Sequence, residues 1–114
     1  MKKEEVEPQL QQVMDAVPVC EGLLFAKTNG EVYVGQTITE MEHKAIANAI
    51  GYMANSKLDS VNKGALVELT IGLEKGYIVA VIKDEELLIG LLGEDGKTSV
   101  GLLLRQLKNI FKIK

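Results

Sequence analysis

A few groups of residues in this 114-residue chain have the types and spacing to do chemistry. The sharpest is Gly93-Glu94-Asp95-Gly96-Lys97-Thr98-Ser99, between an apolar run and a helical pattern. Gly96-Lys97-Thr98 matches the end of the phosphate-binding loop GxxxxGK[ST], whose backbone N–H groups cradle phosphates while its lysine reaches them. That loop needs a glycine at position 91, which is Leu91, and Gly90 stands one residue too far away. Glu94 and Asp95 would also place two negative charges in an anion cradle. The segment therefore reads as a charged turn with a helix cap, and no ATP or GTP binding is expected there. Cys20 follows Pro18-Val19 and precedes Glu21, so no basic neighbour in sequence lowers its pKa. His43 is the single histidine, and one Cys with one His makes no zinc set. Asp84-Glu85-Glu86 and Glu94-Asp95 lack the spacing of a calcium loop and read as solvated turns. Arg105, Lys108 and Lys112 form an i, i+3, i+7 basic stripe. It reads as a solvated helix face; as a functional feature it would meet an acidic partner or an anionic membrane surface, with weak, salt-sensitive attraction. No catalytic residue, cofactor or metal is expected.

Composition agrees. Hydrophobic residues make up 46% and charged residues 25% of the chain, an ordinary globular balance that argues against disorder. One domain over residues 1–114 is expected, large enough to bury roughly two-thirds of the surface that its unfolded chain exposes. A net charge of −3 argues against nucleic-acid binding. No apolar run reaches the ~18 residues of a membrane helix, so no stable membrane insertion is expected. The N-terminal Met1-Lys2-Lys3-Glu4-Glu5 has charge with no apolar stretch behind it, which predicts no signal peptide. The single cysteine suits a reducing compartment, and a cytoplasmic protein is the expectation.

The pattern along the chain is α-β-β-α-β-β-β-α. Val6, Leu10, Val13, Met14 and Val17 form the stripe of an amphipathic helix. Proline is tolerated in a first turn, so Pro8 predicts a start near Glu5 to Glu7, and Pro18 ends the helix. Strands are expected at about 22–28 and 31–36, joined by Asn29-Gly30 in a type I′ turn with positive φ at both central positions. Residues 39–59 predict the longest helix, with Thr39 as cap and Glu42 at capping-box spacing. Residues 65–73 alternate apolar and polar, a strand with one buried face. Residues 77–82 and 87–92 are apolar throughout, as in strands buried on both faces. Helices should therefore cover both sides of a sheet whose short connections make it an antiparallel meander. Residues 98–112 predict a last helix, capped by Thr98 or Ser99.

The helix at 39–59 carries more apolar surface than one contact needs. At 100° per residue, Met41, Tyr52, Ala45, Ile38, Ala49, Met53, Ile46 and Ile50 cover about half the circumference, and the arc continues through Ala54, Ala47 and Gly51. A surface helix needs a stripe of only ~100°, so two faces should be buried, one on the sheet and one elsewhere. Ala47, Gly51 and Ala54 repeat at i, i+4, i+7, and small residues let two backbones approach closely. With Ile50 they are expected to form a helix–helix contact across a dimer. Val67, Leu69 and Ile71 belong to a strand expected at a sheet edge, with no proline or lysine to block pairing, and are expected to extend that interface. Lys44, Asn48 and Asn55 confine the polar side to a narrow wedge, the expected partner-binding strip.

Gly22-Leu-Leu-Phe-Ala-Lys-Thr-Asn-Gly-Glu-Val-Tyr-Val, the alanine-rich Ala45-Ile-Ala-Asn-Ala-Ile-Gly, and Gly76-Tyr-Ile-Val-Ala-Val-Ile with the following Leu87-Leu-Ile-Gly-Leu-Leu, taken in this element order, resemble the Roadblock/dynein light chain family, including its MglB-like members. The resemblance spans about residues 5–112 and rests on pattern more than on a unique motif. It implies an α+β sandwich, a five-stranded mainly antiparallel sheet covered by helices on both faces, of profilin-like or Roadblock architecture. It also implies a homodimer, or a heterodimer with a paralogue, in which long helices pair and third strands join two sheets. It implies a non-enzymatic scaffold or regulator of a small Ras-like GTPase, with no catalytic signature to carry over. A ligand-sensing module or small enzyme of a PAS-like or profilin-like sandwich is the competing reading. Such a module encloses a pocket with convergent polar groups, whereas residues 77–82 and 87–92 are aliphatic apart from Tyr77 and Gly90.

Overall fold

The computed structural model describes residues 1–56 and 59–113. Helix α1 (Lys3–Ala16) leads into strands β1 (Cys20–Lys27) and β2 (Val32–Thr37), then helix α2 (His43–Ala54). Strands β3 (Glu68–Leu73), β4 (Gly76–Lys83) and β5 (Glu86–Gly93) follow, then helix α3 (Val100–Phe111). The five strands form one antiparallel sheet in the order β2-β1-β5-β4-β3. The two most apolar strands, β4 and β5, lie inside it, and β3 is an edge as its half-polar pattern predicts.

Both sheet faces are covered. Val6, Leu10 and Val13 of α1 and Leu103, Leu107 and Ile110 of α3 pack with Leu23, Phe25, Val79, Val81 and Leu88 on one face. Ile50 and Ile46 of α2 pack with Leu24, Ala80, Leu87 and Ile89 on the other. Residues 79–81 and 87–89 are fully buried, which explains their unbroken apolarity. Helix α2 lies over β1 and β2, so the β3 side of that face is less covered, and Leu69, Ile71, Ile78 and Ile82 there are only partly buried.

Several local expectations change. Helix α1 begins at Lys3, and Pro8 stands inside it. The ring costs the Glu4 carbonyl its helical donor, but both residues are exposed, so water can serve that oxygen. Helix α2 spans His43–Ala54 with Glu42 at its N-cap and no side-chain cap bond. The Thr39 cap is therefore corrected: the Thr39 carbonyl instead accepts a bond from the Thr37 hydroxyl at 2.6 Å. Helix α1, with 14 residues against 12, is the longer of the two. Residues 57 and 58 of the expected long helix lie outside the described residues. A 3-10 turn over Glu94–Ser99 runs directly into α3, and neither Thr98 nor Ser99 makes the expected cap bond.

The β1–β2 turn differs from the expected type I′ form. At Asn29-Gly30 only Gly30 has positive φ, at 94°. The Gly30 N–H donates to the Lys27 carbonyl and the Lys27 N–H to the Glu31 carbonyl, which makes a three-residue loop with glycine at its left-handed position. Positive φ at both central residues, the type I′ signature, occurs instead between β4 and β5, where Asp84 and Glu85 have φ of 50° and 66°. Left-handed backbone strains residues with a Cβ. Asp84→Asn with Glu85→Gly is therefore expected to raise stability by about 1 kcal/mol. Urea denaturation measures it, and an unchanged or lowered midpoint contradicts the assignment.

Candidate functional site

Helix α2 presents three faces. Ala47 and Ile50 are 0% and 2% exposed, and with Gly51 they face the chain's own sheet and the β1–β2 turn. A Cβ on Gly51 would stand 2.3 Å from the Thr28 carbonyl oxygen. At Gly51 two backbones come close, and the second backbone is that turn. Ala47, Ile50 and Gly51, expected at a dimer contact, are thus covered within the chain, and this part of the expected interface is corrected; Ala54 is half-buried.

The polar wedge serves the same turn. The Asn55 side-chain amide donates to the Thr28 carbonyl at 3.2 Å. Asn48 lies so close over Gly30 that a Cβ there would overlap its side-chain oxygen. Lys44 is exposed and, with His43, borders an open hollow of about 670 Å³ beside Asn29, Gly30 and Glu31. Of the three expected partner contacts, Asn55 bonds the β1–β2 turn and Asn48 lies against it, and all three residues are exposed.

The third face is apolar and open. Met41, just ahead of α2, and Ala45, Ala49, Tyr52 and Met53 are all exposed, Tyr52 by 81%. These residues were legible as part of the apolar arc. What the arc did not reveal was which of its halves meets the sheet. Beside this face runs β3. Val67, Leu69 and Ile71 lie at the open edge, with Val67 55% and Leu73 57% exposed. Leu69 and Ile71 share the α2 side of the sheet. A cleft of about 260 Å³, bordered by Met41, Ile46, Leu73, Tyr77 and Ile78 among others, connects helix and strand.

The other candidates for chemistry are structural. His43 packs its ring on Gly35. Because the Thr37 hydroxyl donates to the Thr39 carbonyl, the 3.1 Å contact with His43 has Nε2–H donating to Thr37 Oγ1. Cys20 is buried, its thiol donates to the Gly22 carbonyl at 3.3 Å, and burial pushes its pKa up from the ordinary value, against nucleophilic use. Gly96 is packed on Leu92, and Lys97 and Thr98 are exposed, so residues 93–99 form no cradle. Lys108 of the basic stripe pairs with Glu68 of β3, which ties α3 to the sheet edge and leaves Arg105 and Lys112 separated along the helix. Among the described residues no three His, Cys, Asp or Glu side chains converge on a metal position.

This architecture recurs in known structures. The gliding protein MglB of Thermus thermophilus superposes with a TM-score of 0.80 at 13% identity, over 94% of this chain and 88% of that one. MglB of Myxococcus xanthus gives 0.80 at 10% identity over 97% and 90%, and a Roadblock/LC7 domain from Streptomyces avermitilis gives 0.71 at 11% over 90% and 91%. At the sequence level no protein-family model and no curated protein matches the chain. The likeness is one of fold, and the fold is Roadblock-like.

Proposed function

We propose that this Roadblock-like chain is a non-catalytic dimeric interaction protein that regulates or scaffolds a small Ras-like GTPase. The observation that carries the reading is the bare apolar face of α2, Met41, Ala45, Ala49, Tyr52 and Met53, running beside an open strand edge. Soluble chains seldom leave large contiguous apolar surface uncovered, and such patches mark interaction sites. A second copy covers both elements at once, with α2 packed on its counterpart and β3 paired with its counterpart. The GTPase supplies the role that the sequence resemblance implies. The competing sensor reading needs room inside the sandwich, but fully buried aliphatic side chains at 79–81 and 87–89 occupy its centre.

In the dimer the strip Lys44, Asn48 and Asn55 stays outside the apolar contact and faces the GTPase. A stable complex removes ~800 Å² from each partner, and two adjacent strips make a composite surface that neither chain presents alone. Lys44→Glu with Asn48→Asp is expected to weaken binding of the GTP-loaded GTPase about tenfold, or ~1.4 kcal/mol, while the dimer persists. Calorimetric titration with the protein's cellular Ras-like GTPase, loaded with a GTP analogue or GDP, measures it. Full binding by the double variant moves the contact off this strip. A wild-type protein that binds neither form removes the GTPase from the reading.

A further inference from the structure

We infer that Asn29 is a site of self-modification that the fold holds shut. While the β1–β2 turn lies against α2 the residue stays asparagine; when the turn opens it converts to aspartate and isoaspartate. The chemistry needs neither the dimer nor the GTPase.

Asparagine is among the thermolabile residues, and the residue after it sets its reactivity. Glycine follows asparagine at one place in the chain, Asn29-Gly30, so no side chain screens the attacking amide nitrogen. Hydroxide takes the Gly30 amide proton and the nitrogen attacks Cγ of Asn29. The N–Cγ bond forms, the Cγ–Nδ2 bond breaks, and the side-chain nitrogen leaves as ammonia with a proton from water. A succinimide ring remains, and water opens it. Opening at Cγ gives aspartate. Opening at the main-chain carbonyl gives isoaspartate, in which the backbone runs through the former side chain. Water is consumed, ammonia is released, and no atom is oxidised or reduced. Asn29 is exposed, so water reaches it.

The folded turn holds both reacting groups. The Gly30 N–H donates to the Lys27 carbonyl at 3.0 Å, so the proton that has to leave is hydrogen-bonded. Asn29 Oδ1 accepts the Glu31 N–H at 3.0 Å, which pins the side-chain amide in an Asx turn. Gly30 itself is buried, with Asn48 of α2 directly over it. Ring closure removes the Gly30 proton, and with it the bond to Lys27, and swings the side chain onto the backbone nitrogen. The reaction therefore follows the population of locally opened turn. Its two products differ. Aspartate keeps an oxygen to accept the Glu31 N–H, so the turn can re-form, with a new carboxylate in the hollow that Lys44 borders. Isoaspartate inserts a methylene into the backbone of a three-residue loop that has no slack. A Cβ on Gly30 would already overlap the Asn48 side-chain oxygen, and the Thr28 carbonyl oxygen lies 2.3 Å from where a Gly51 Cβ would stand. A reversible opening thus becomes a permanent loss of the turn.

The test incubates the full chain at mildly alkaline pH, folded in buffer and unfolded in guanidinium chloride. Trypsin then releases Thr28–Lys44, in which Asn29 is the sole asparagine. Mass spectrometry of that peptide reads the conversion, and isoaspartyl methyltransferase scores the isoaspartate. In the unfolded chain Asn29 is expected to convert faster than Asn48, Asn55, Asn62 or Asn109. Folding is expected to slow it at least about tenfold, the factor given by a local opening free energy of ~1.4 kcal/mol. Asn48→Ala, which uncovers Gly30, is expected to raise the folded rate several-fold and leave the unfolded rate unchanged. Equal rates in folded and unfolded wild type overturn the protection by the fold. An unfolded chain in which Asn29 converts no faster than Asn62 overturns the site. A folded Asn48→Ala protein that converts at the wild-type rate overturns the part given to α2. The wild-type comparison decides the first two points even if that variant fails to fold. Purified isoaspartate protein that refolds with the wild-type denaturation midpoint overturns the permanent loss.

Discussion

Gly51→Leu lowers the stability of the single chain by about 3 kcal/mol, and Gly51→Ala by about 1 kcal/mol, although alanine is the better helix former. Propensity alone predicts the opposite sign, since glycine in a helix interior costs ~1 kcal/mol against alanine. The contact decides it. Any Cβ at this position would stand 2.3 Å from the Thr28 carbonyl oxygen and 3.0 Å from its carbon, and backbone cannot swing aside as a flexible side chain can. That carbonyl also accepts the Asn55 amide, and the Thr28 N–H donates to the Glu85 carbonyl at 2.9 Å. Pushing the turn away therefore strains two hairpins and the end of α2 together. Urea denaturation at two protein concentrations separates this loss from any change in self-association. Stabilisation by Gly51→Ala would show that helix and turn do not approach this closely.

Ala49→Glu should do the reverse, leaving the fold intact and abolishing the dimer. Ala49 is exposed in the middle of the open α2 face, between Ala45 and Met53, so an added carboxylate meets water in the single chain and changes stability by less than about 0.5 kcal/mol. In the proposed dimer the same group is buried among apolar side chains without a partner, and an unpaired buried charge is costly. A dissociation constant raised at least 100-fold, ~2.8 kcal/mol, is the expected outcome by sedimentation or light scattering across a dilution series. Lys44→Glu, on the polar side of the same helix, is the control and leaves the constant unchanged. A dimer that survives Ala49→Glu with wild-type affinity excludes this face as the contact. A variant that unfolds would contradict its exposure.

Patterns that depend on neighbours in sequence were readable from the chain alone. The order α-β-β-α-β-β-β-α, the one-sided β3, the two-sided β4 and β5 and the excess apolar surface of α2 all follow from periodicity. Periodicity records how many faces of an element avoid water, which is a local property. It does not record what covers each face, because that partner comes from elsewhere in the chain. Hence the small residues were read as meeting a helix of a second copy, whereas Gly51 meets Thr28 of its own chain, and Met41, Ala45, Ala49 and Tyr52 were recognised as apolar but not as the face left open. The same limit applies to turns. Asn29-Gly30 has the composition of a type I′ turn, but the shifted β1–β2 register makes a three-residue loop there. The two-residue connection between β4 and β5 instead holds Asp84 and Glu85 in left-handed backbone that their side chains disfavour. The central pairing of β1 with β5 is likewise a long-range contact. Only the folded chain brings Leu24 beside Ile89, and that pairing places β1 inside the sheet and leaves β2 as the edge opposite β3.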